Sequence, residues 1–214
     1  MNNQEQHLAA ARFLALLRPI QRDLENYSRR MVFDGRDFED ALQNAVLRAF
    51  RAFDRYHDDA SFRAWMFKIL TNEIFAINRK RGRVAQFEIA VEPEEVEEFA
   101  TLDFAGEMPL SWETLADALD EELLTALQSL NGPDRAVLLM RGIGDLRYRE
   151  ISECLGIPLG SVMGNLSRAR QKMRDAILRV RRLRRAGVQP PWNEGGPAAP
   201  EPREGGRFFR EVDD

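Results

Sequence analysis

The sequence predicts an all-α protein of two small helical domains joined by a flexible acidic linker. Two observations carry that expectation. Apolar residues recur three and four apart through two long blocks, the spacing of one helix face. Charge is segregated along the chain. Residues 1–83 hold 15 Lys/Arg against 11 Asp/Glu, residues 84–131 hold none against 13, and residues 132–187 hold 13 against 5. Residues 188–214 hold 3 against 6, so the formal net charge of −4 conceals two basic blocks around one acidic strap. Net charge alone argues against a polyanionic partner, whereas its distribution argues for one.

Composition narrows the class further. An apolar fraction of 44% supplies real cores, and 31% charged residues suit a soluble, helix-rich chain. A single cysteine, Cys154, makes no internal disulfide, which points to a reducing, cytoplasmic setting. Its apolar surroundings favour a small core residue over a sensor. His7 and His57 stand alone, without metal-ligand spacing, and no metal or cofactor is expected. The first ten residues lack the charged end and apolar run of a signal peptide. No apolar run reaches the ~18 residues of a membrane span, so no membrane insertion is expected. Nor does any nucleophile–base pair or phosphate-binding glycine loop appear, so the chain does not read as an enzyme.

The first block, residues 8–83, carries three helical patterns. From about Leu8 to Val32 the inward residues are Phe13, Leu16, Leu17, Ile20, Leu24, Tyr27 and Met31. Pro19 should kink or restart that helix, because it lacks the N–H and clashes with the preceding turn. Asp34-Gly35 reads as a turn. The next helix, about Asp37 to Tyr56, turns Phe38, Leu42, Val46 or Ala45, Ala49, Phe50 and Phe53 inward. Its Asp37, Glu39 and Asp40 suit the positive N-terminal end. Ser61 is placed to cap a third helix. Phe62, Trp65, Met66, Ile69, Leu70, Ile74 and Ile77 form that helix's apolar stripe. Phe67, Lys68, Asn72, Phe75 and Asn78 fall off the stripe or at its margin, and the helix ends in Arg79, Lys80, Arg81 and Arg83. Rings beside amides and a basic end are the ingredients of a single-strand binding surface. Burial habits alone place Trp65, Phe67 and Phe75 in the core instead.

Residues 84–110 form the acidic linker, with few helical signals. Residues 111–182 read as a second, four-helix domain. Leu119, Leu123, Leu127 and Leu130 face inward on its first helix, and Asn131-Gly132-Pro133 ends it. Pro133 then opens a helix to about Arg141. The stretch from Asp145 to Met173 reads as two helices around a tight turn. Tyr148 to Leu155 is the first, with Ile151 and Leu155 on one face. Gly156 ends it, where a left-handed residue is wanted, and Pro158 forbids its continuation. Ser161 caps the second helix, whose buried stripe is Val162, Leu166 and Ala169. Its remaining face is small, polar or basic, as suits a helix pressed into the DNA major groove. Residues 183–214 begin basic and continue as a Pro/Gly-rich, disordered tail.

Two segments together carry a resemblance. DFEDALQNAVLRAFRAFDRY with ASFRAWMFKILTNEIFAINRKRGR is similar to region two of an extracytoplasmic-function sigma factor of bacterial RNA polymerase. LNGPDRAVLLMRGIGDLRYREISECLGIPLGSVMGNLSRARQKMRDAI resembles region four of the same family, in the same order. The resemblance implies a non-enzymatic transcription initiation factor that gives core polymerase its promoter specificity. Asp40, Leu42, Gln43, Leu47 and Arg48 match positions that dock on the largest subunit's clamp helices. Asp58, Ser61, Trp65, Lys68, Asn72, Asn78, Arg79, Lys80 and Arg81 match those that melt and hold the minus-ten element. Ser161, Met163, Gly164, Ser167, Arg168, Arg170 and Lys172 match the readers of the minus-thirty-five element. Implied partners are core polymerase, through clamp helices and flap, promoter DNA, and an anti-sigma protein. Gly164-Asn165 departs from the family's frequent Ser-Arg, as Ser167 does from its frequent His. The other reading of the residues is a stand-alone helix-turn-helix regulator.

Overall fold

A computed structural model describes residues 3–32, 34–57, 61–80, 126–127 and 129–186. The acidic linker, most of the helix expected to end at Leu130, Asp58, Arg81 and the tail beyond residue 186 lie outside these residues. Within them the elements run α1 (Asn3–Leu17), α2 (Gln21–Met31), α3 (Phe38–Arg51), α4 (Phe62–Lys80), α5 (Gly132–Gly142), α6 (Tyr148–Leu155) and α7 (Leu159–Arg185). No strand occurs among the described residues. The restart expected at Pro19 is a short 3-10 turn, Arg18–Ile20, between α1 and α2.

The N-terminal helices close around aromatic and aliphatic side chains. Phe13 meets the rings of Phe50, Phe53 and Phe62 edge-on at 5.4, 5.2 and 5.8 Å. Edge-to-face pairs of this kind add about 0.5–1.5 kcal/mol each beyond area burial. Tyr27, fully buried, meets the Thr71 hydroxyl at 2.8 Å, and Thr71 passes its own hydrogen to the Phe67 carbonyl. Burial pushes the Tyr27 hydroxyl well above the usual tyrosine range, so it remains a neutral donor.

The C-terminal helices build a second bundle, with α5 and α6 packed on α7. The Asn131 side chain accepts from the Asp134 N–H, which caps α5. Gly156 takes φ of +67° at the end of α6, the left-handed conformation the sequence demanded. Val162, Leu166, Ala169 and Met173 line the buried side of α7. Arg135, on α5, is buried and donates to the Leu130 carbonyl at 2.9 Å; desolvation pulls it down to about 10.

The two bundles share one continuous core, with α4 against α6 and α2 against α5. Arg63 of α4 donates to Asp23 of α2 at 2.6 Å and reaches across the joint to the Gly144 carbonyl at 3.3 Å. Cys154 donates its S–H to the Ala64 carbonyl at 3.2 Å, and burial pushes the thiol up to about 12. It is the small core residue the sequence suggested.

Several expectations are corrected. Leu42 is buried, as its spacing requires, so its side chain does not offer the polymerase contact that the resemblance implied. Asn78 is fully buried and donates to the Met31 carbonyl at 3.4 Å; it ties α4 to the end of α2 instead of facing solvent. Phe67, off the stripe by spacing, is in the core as burial habits expected, because α2 and the Gly144 turn cover its side of α4. Phe50, expected inward, is 44% exposed with only one ring edge on Phe13. Ser161 does not cap α7. That helix starts at Leu159, and its first turn is closed by the Val162 N–H on the Pro158 carbonyl.

Candidate nucleic-acid interface

The first face is built by α4. At 100° per residue, Ser61, Trp65, Lys68, Asn72 and Arg79 fall on one stripe along the helix. The Ser61 hydroxyl accepts the Ala64 N–H at 3.2 Å, which fixes the N-terminal turn. Trp65 is half-buried and leans on Phe53, Tyr56 and Phe62, with its centroid 5.2 Å from that of Tyr56. It is therefore a platform supported from below, with part of the ring still exposed. Lys68, Asn72, Arg79 and Lys80 are exposed. Phe75 shares this stripe and is half-buried, a ring that burial habits alone had assigned to the core. A half-sunk aromatic flanked by exposed amide and basic groups can stack a base while its neighbours hold phosphates.

On α3 the exposed residues among those matched to polymerase contact are Asp40, Gln43, Leu47 and Arg48. Leu47 is 51% exposed, an apolar side chain held at the surface. Arg48 makes an ion pair with Glu73 of α4, so its orientation is set by the neighbouring helix.

The second face belongs to α7. The crest opposite its buried stripe carries Gly164, Ser167 and Gln171. Arg168 and Lys172 lie on the flank nearest α5, and Met163 and Arg170 on the flank nearest α6. Arg168 and Arg170, two residues apart, thus project to opposite flanks and not to one common face. The single outer basic face expected from the sequence is therefore split between two flanks. Between α6 and α7 a shallow cavity of about 370 Å³ is lined by Arg147, Tyr148, Arg149, Glu150, Leu159 and Met163. Arg147 and Arg149 add positive charge beside the recognition helix that the motif alone did not flag.

Beneath the α5 flank sits a carboxylate that sequence reasoning missed. Asp134 is 1% exposed. One oxygen accepts from Lys172 at 2.8 Å, and the other faces Arg168 Nε at 3.8 Å. Arg168 also donates to the side chain of Asn165, which is itself buried. The linear signal for this cluster is faint, since Asp134 and Lys172 are 38 residues apart.

Comparison with known proteins agrees with this anatomy. Residues 16–84 match the family model for sigma-70 region 2, and residues 120–173 match that for sigma-70 region 4. The fold and its two faces thus define a sigma-70-type protein. The chain belongs to the sigma-70 family, in its extracytoplasmic-function (ECF) group. It is 32% identical over 142 residues to the ECF RNA polymerase sigma factor SigE of Mycolicibacterium smegmatis, covering 66% of this chain and 52% of that protein. It is 27% identical to SigG of Mycobacterium tuberculosis over 175 residues, covering 75% and 47%. Against the Escherichia coli sigma-E factor identity is 25% over 144 residues, covering 66% and 74%. The chain spans about half the length of the first two of these relatives. The same fold occurs in the sigma factor RpoE bound to the anti-sigma factor NepR from Bartonella quintana, with TM-score 0.56 and 22% identity over 80% of this chain and 96% of that one. CnrH in complex with the cytosolic domain of CnrY gives TM-score 0.53 and 21% identity, over 82% and 95%. No described helix is long and apolar enough to cross a membrane.

Proposed function

We propose that this chain is a promoter-specificity subunit that directs core RNA polymerase to its start sites in the cytoplasm, without catalysis of its own. One observation carries the reading: regions two and four of one family lie in order on one chain. Each contributes an exposed basic face. In this reading the first domain, residues 8–83, holds the melted minus-ten strand. Trp65 offers a ring for a base, Lys68, Arg79 and Lys80 hold phosphates, and Asn72 bonds a base edge. Ser61 closes the first turn of α4 beside that strand, and Asp58 and Arg81 carry the same minus-ten role by the resemblance. The second domain, residues 111–182, places α7 in the major groove of the minus-thirty-five element through Ser161, Met163, Gly164, Ser167, Arg168, Arg170 and Lys172.

Asp40, Gln43, Leu47 and Arg48 form the polymerase-facing side of α3. Leu47 is the apolar anchor, with charged neighbours around it. Residues 84–110, rich in carboxylates, form a linker suited to channels that hold polyanions. An anti-sigma protein is a further partner, as one structural relative, a sigma factor, was solved with an anti-sigma factor. Run-off transcription with purified core polymerase tests the reading. Addition of the chain should yield defined transcript starts preceded by a shared two-part motif. Tight, sequence-specific duplex binding by the free chain, with no dependence on core, would instead make it a stand-alone regulator.

A further inference from the structure

The recognition helix departs from its family at Gly164-Asn165, and the geometry around that pair gives the departure a use. The Arg168 side chain folds back along α7. Its Nη2 donates to Asn165 Oδ1, and its Nε faces Asp134 Oδ1 at 3.8 Å. Its Nη1 lies 3.5 Å from where a Cβ on Gly164 would stand. The inner edge of the guanidinium is therefore taken up by an amide and a carboxylate. Its tip rests over the crest of the helix, at the residue that has no side chain. Asp134 and Asn165 are buried, at 1% and 7% exposure, while the Arg168 side chain is 51% exposed.

We propose that Asp134 and Asn165 are positioning residues that hold Arg168 as a fixed, outward fork for one guanine of the minus-thirty-five element. The proposal deepens the promoter-recognition reading and rests on it. Nη1 and the second hydrogen of Nη2 remain free to donate in parallel. That pair matches the O6 and N7 acceptors of guanine in the major groove. A free arginine loses rotamer freedom on binding, whereas this one is already ordered, so less is lost at the moment of contact. Gly164 is part of the device. A long side chain there would compete for the crest, and its absence brings guanidinium and DNA together. Lys172, whose Nζ is bonded to the other Asp134 oxygen on the flank, is a point charge suited to phosphate.

The test measures holoenzyme affinity on a promoter set with every single base change in the minus-thirty-five element. Wild type should show a guanine preference at one position or more. Arg168→Ala should erase that preference at one base pair, a loss of about 5- to 150-fold in discrimination. Asn165→Ala and Asp134→Asn should weaken the same preference severalfold, with the dependence on salt unchanged. The sign for Asp134→Asn is informative, because removing a negative charge beside DNA would by itself tighten binding. Thermal midpoints of the free chain, and Asn165→Ala as the milder variant, separate positioning from misfolding. Uniform weakening by Arg168→Ala across all bases, with the salt slope reduced by about 1, makes the arginine a phosphate contact and overturns the proposal. Discrimination unmoved in Asp134→Asn and Asn165→Ala overturns it too. A wild-type holoenzyme indifferent to the whole element sinks the promoter reading instead.

Discussion

The two basic heads use their charges differently. On α4, Lys68 and Arg79 stand on an exposed stripe shared with Trp65, whose ring rests on Tyr56. On α7 the cations are steadied from below by charge, since Asp134 holds Lys172 and faces Arg168. A single strand offers bases to stack on and demands little angular precision. A duplex offers fixed acceptors in a groove and rewards donors held in fixed directions. A count of Lys and Arg treats the two heads as equivalent, whereas the partners of each cation separate them.

The largest effect that tests this contrast is ionic. If both heads work on phosphates, promoter affinity of the holoenzyme should fall by orders of magnitude between 50 and 200 mM salt. A flat response in a filter-binding titration would mean that neither head faces DNA.

Next in size is the joint between the heads. A Cβ on Gly144 would stand 2.6 Å from the Met140 carbonyl oxygen and 3.1 Å from the Phe67 ring. Backbone cannot yield as a flexible side chain does, so Gly144→Ala should cost about 1–3 kcal/mol of stability in urea unfolding. An unchanged midpoint would show that Gly144 does not sit against the Met140 carbonyl and the Phe67 ring as described.

A smaller effect sharpens the comparison within α4 itself. Asn72 and Asn78 are the same residue type six positions apart, one exposed and one buried. Asn78→Ala should destabilise the chain by about 1–2 kcal/mol, through loss of its bond to Met31, and leave promoter opening intact at permissive temperature. Loss of opening without loss of stability would return Asn78 to the DNA face.

The smallest is a pH effect at Cys154. Its thiol titrates near 9.0 when unfolded and about 12 when folded, because burial disfavours the thiolate. Between these values the unfolded chain has released the proton and the folded chain has kept it, so stability falls as pH rises above 9.0. Cys154→Ala should flatten that part of the stability–pH curve, and an unaltered curve would mean the thiol is not buried between the bundles.

What the sequence made legible was local. Gly156 had to be left-handed and Pro158 had to stop a helix, so the bounds of α6 followed directly. Pro19 restarted a helix for the same kind of reason. Apart from the start of α7, the misreadings turn on which neighbour covers a margin. Helical spacing puts Asn78 at the edge of the α4 stripe, and only the approach of α2 decides that it is buried. Leu42 shows the reverse case, where spacing was right and the resemblance pulled the side chain outward. Asp134 falls in the first turn of the helix that Pro133 opens, and no local pattern says that it reaches α7.

The most direct test runs two measurements in parallel on one promoter, holoenzyme affinity and permanganate reactivity of the minus-ten thymines. Lys68→Ala with Asn72→Ala should lose opening about tenfold or more while binding to core and to the minus-thirty-five duplex persists. Arg168→Ala should lose affinity that depends on the minus-thirty-five bases while the complexes that do form still open. If both variants lose affinity and opening in step, the division of labour between α4 and α7 is contradicted.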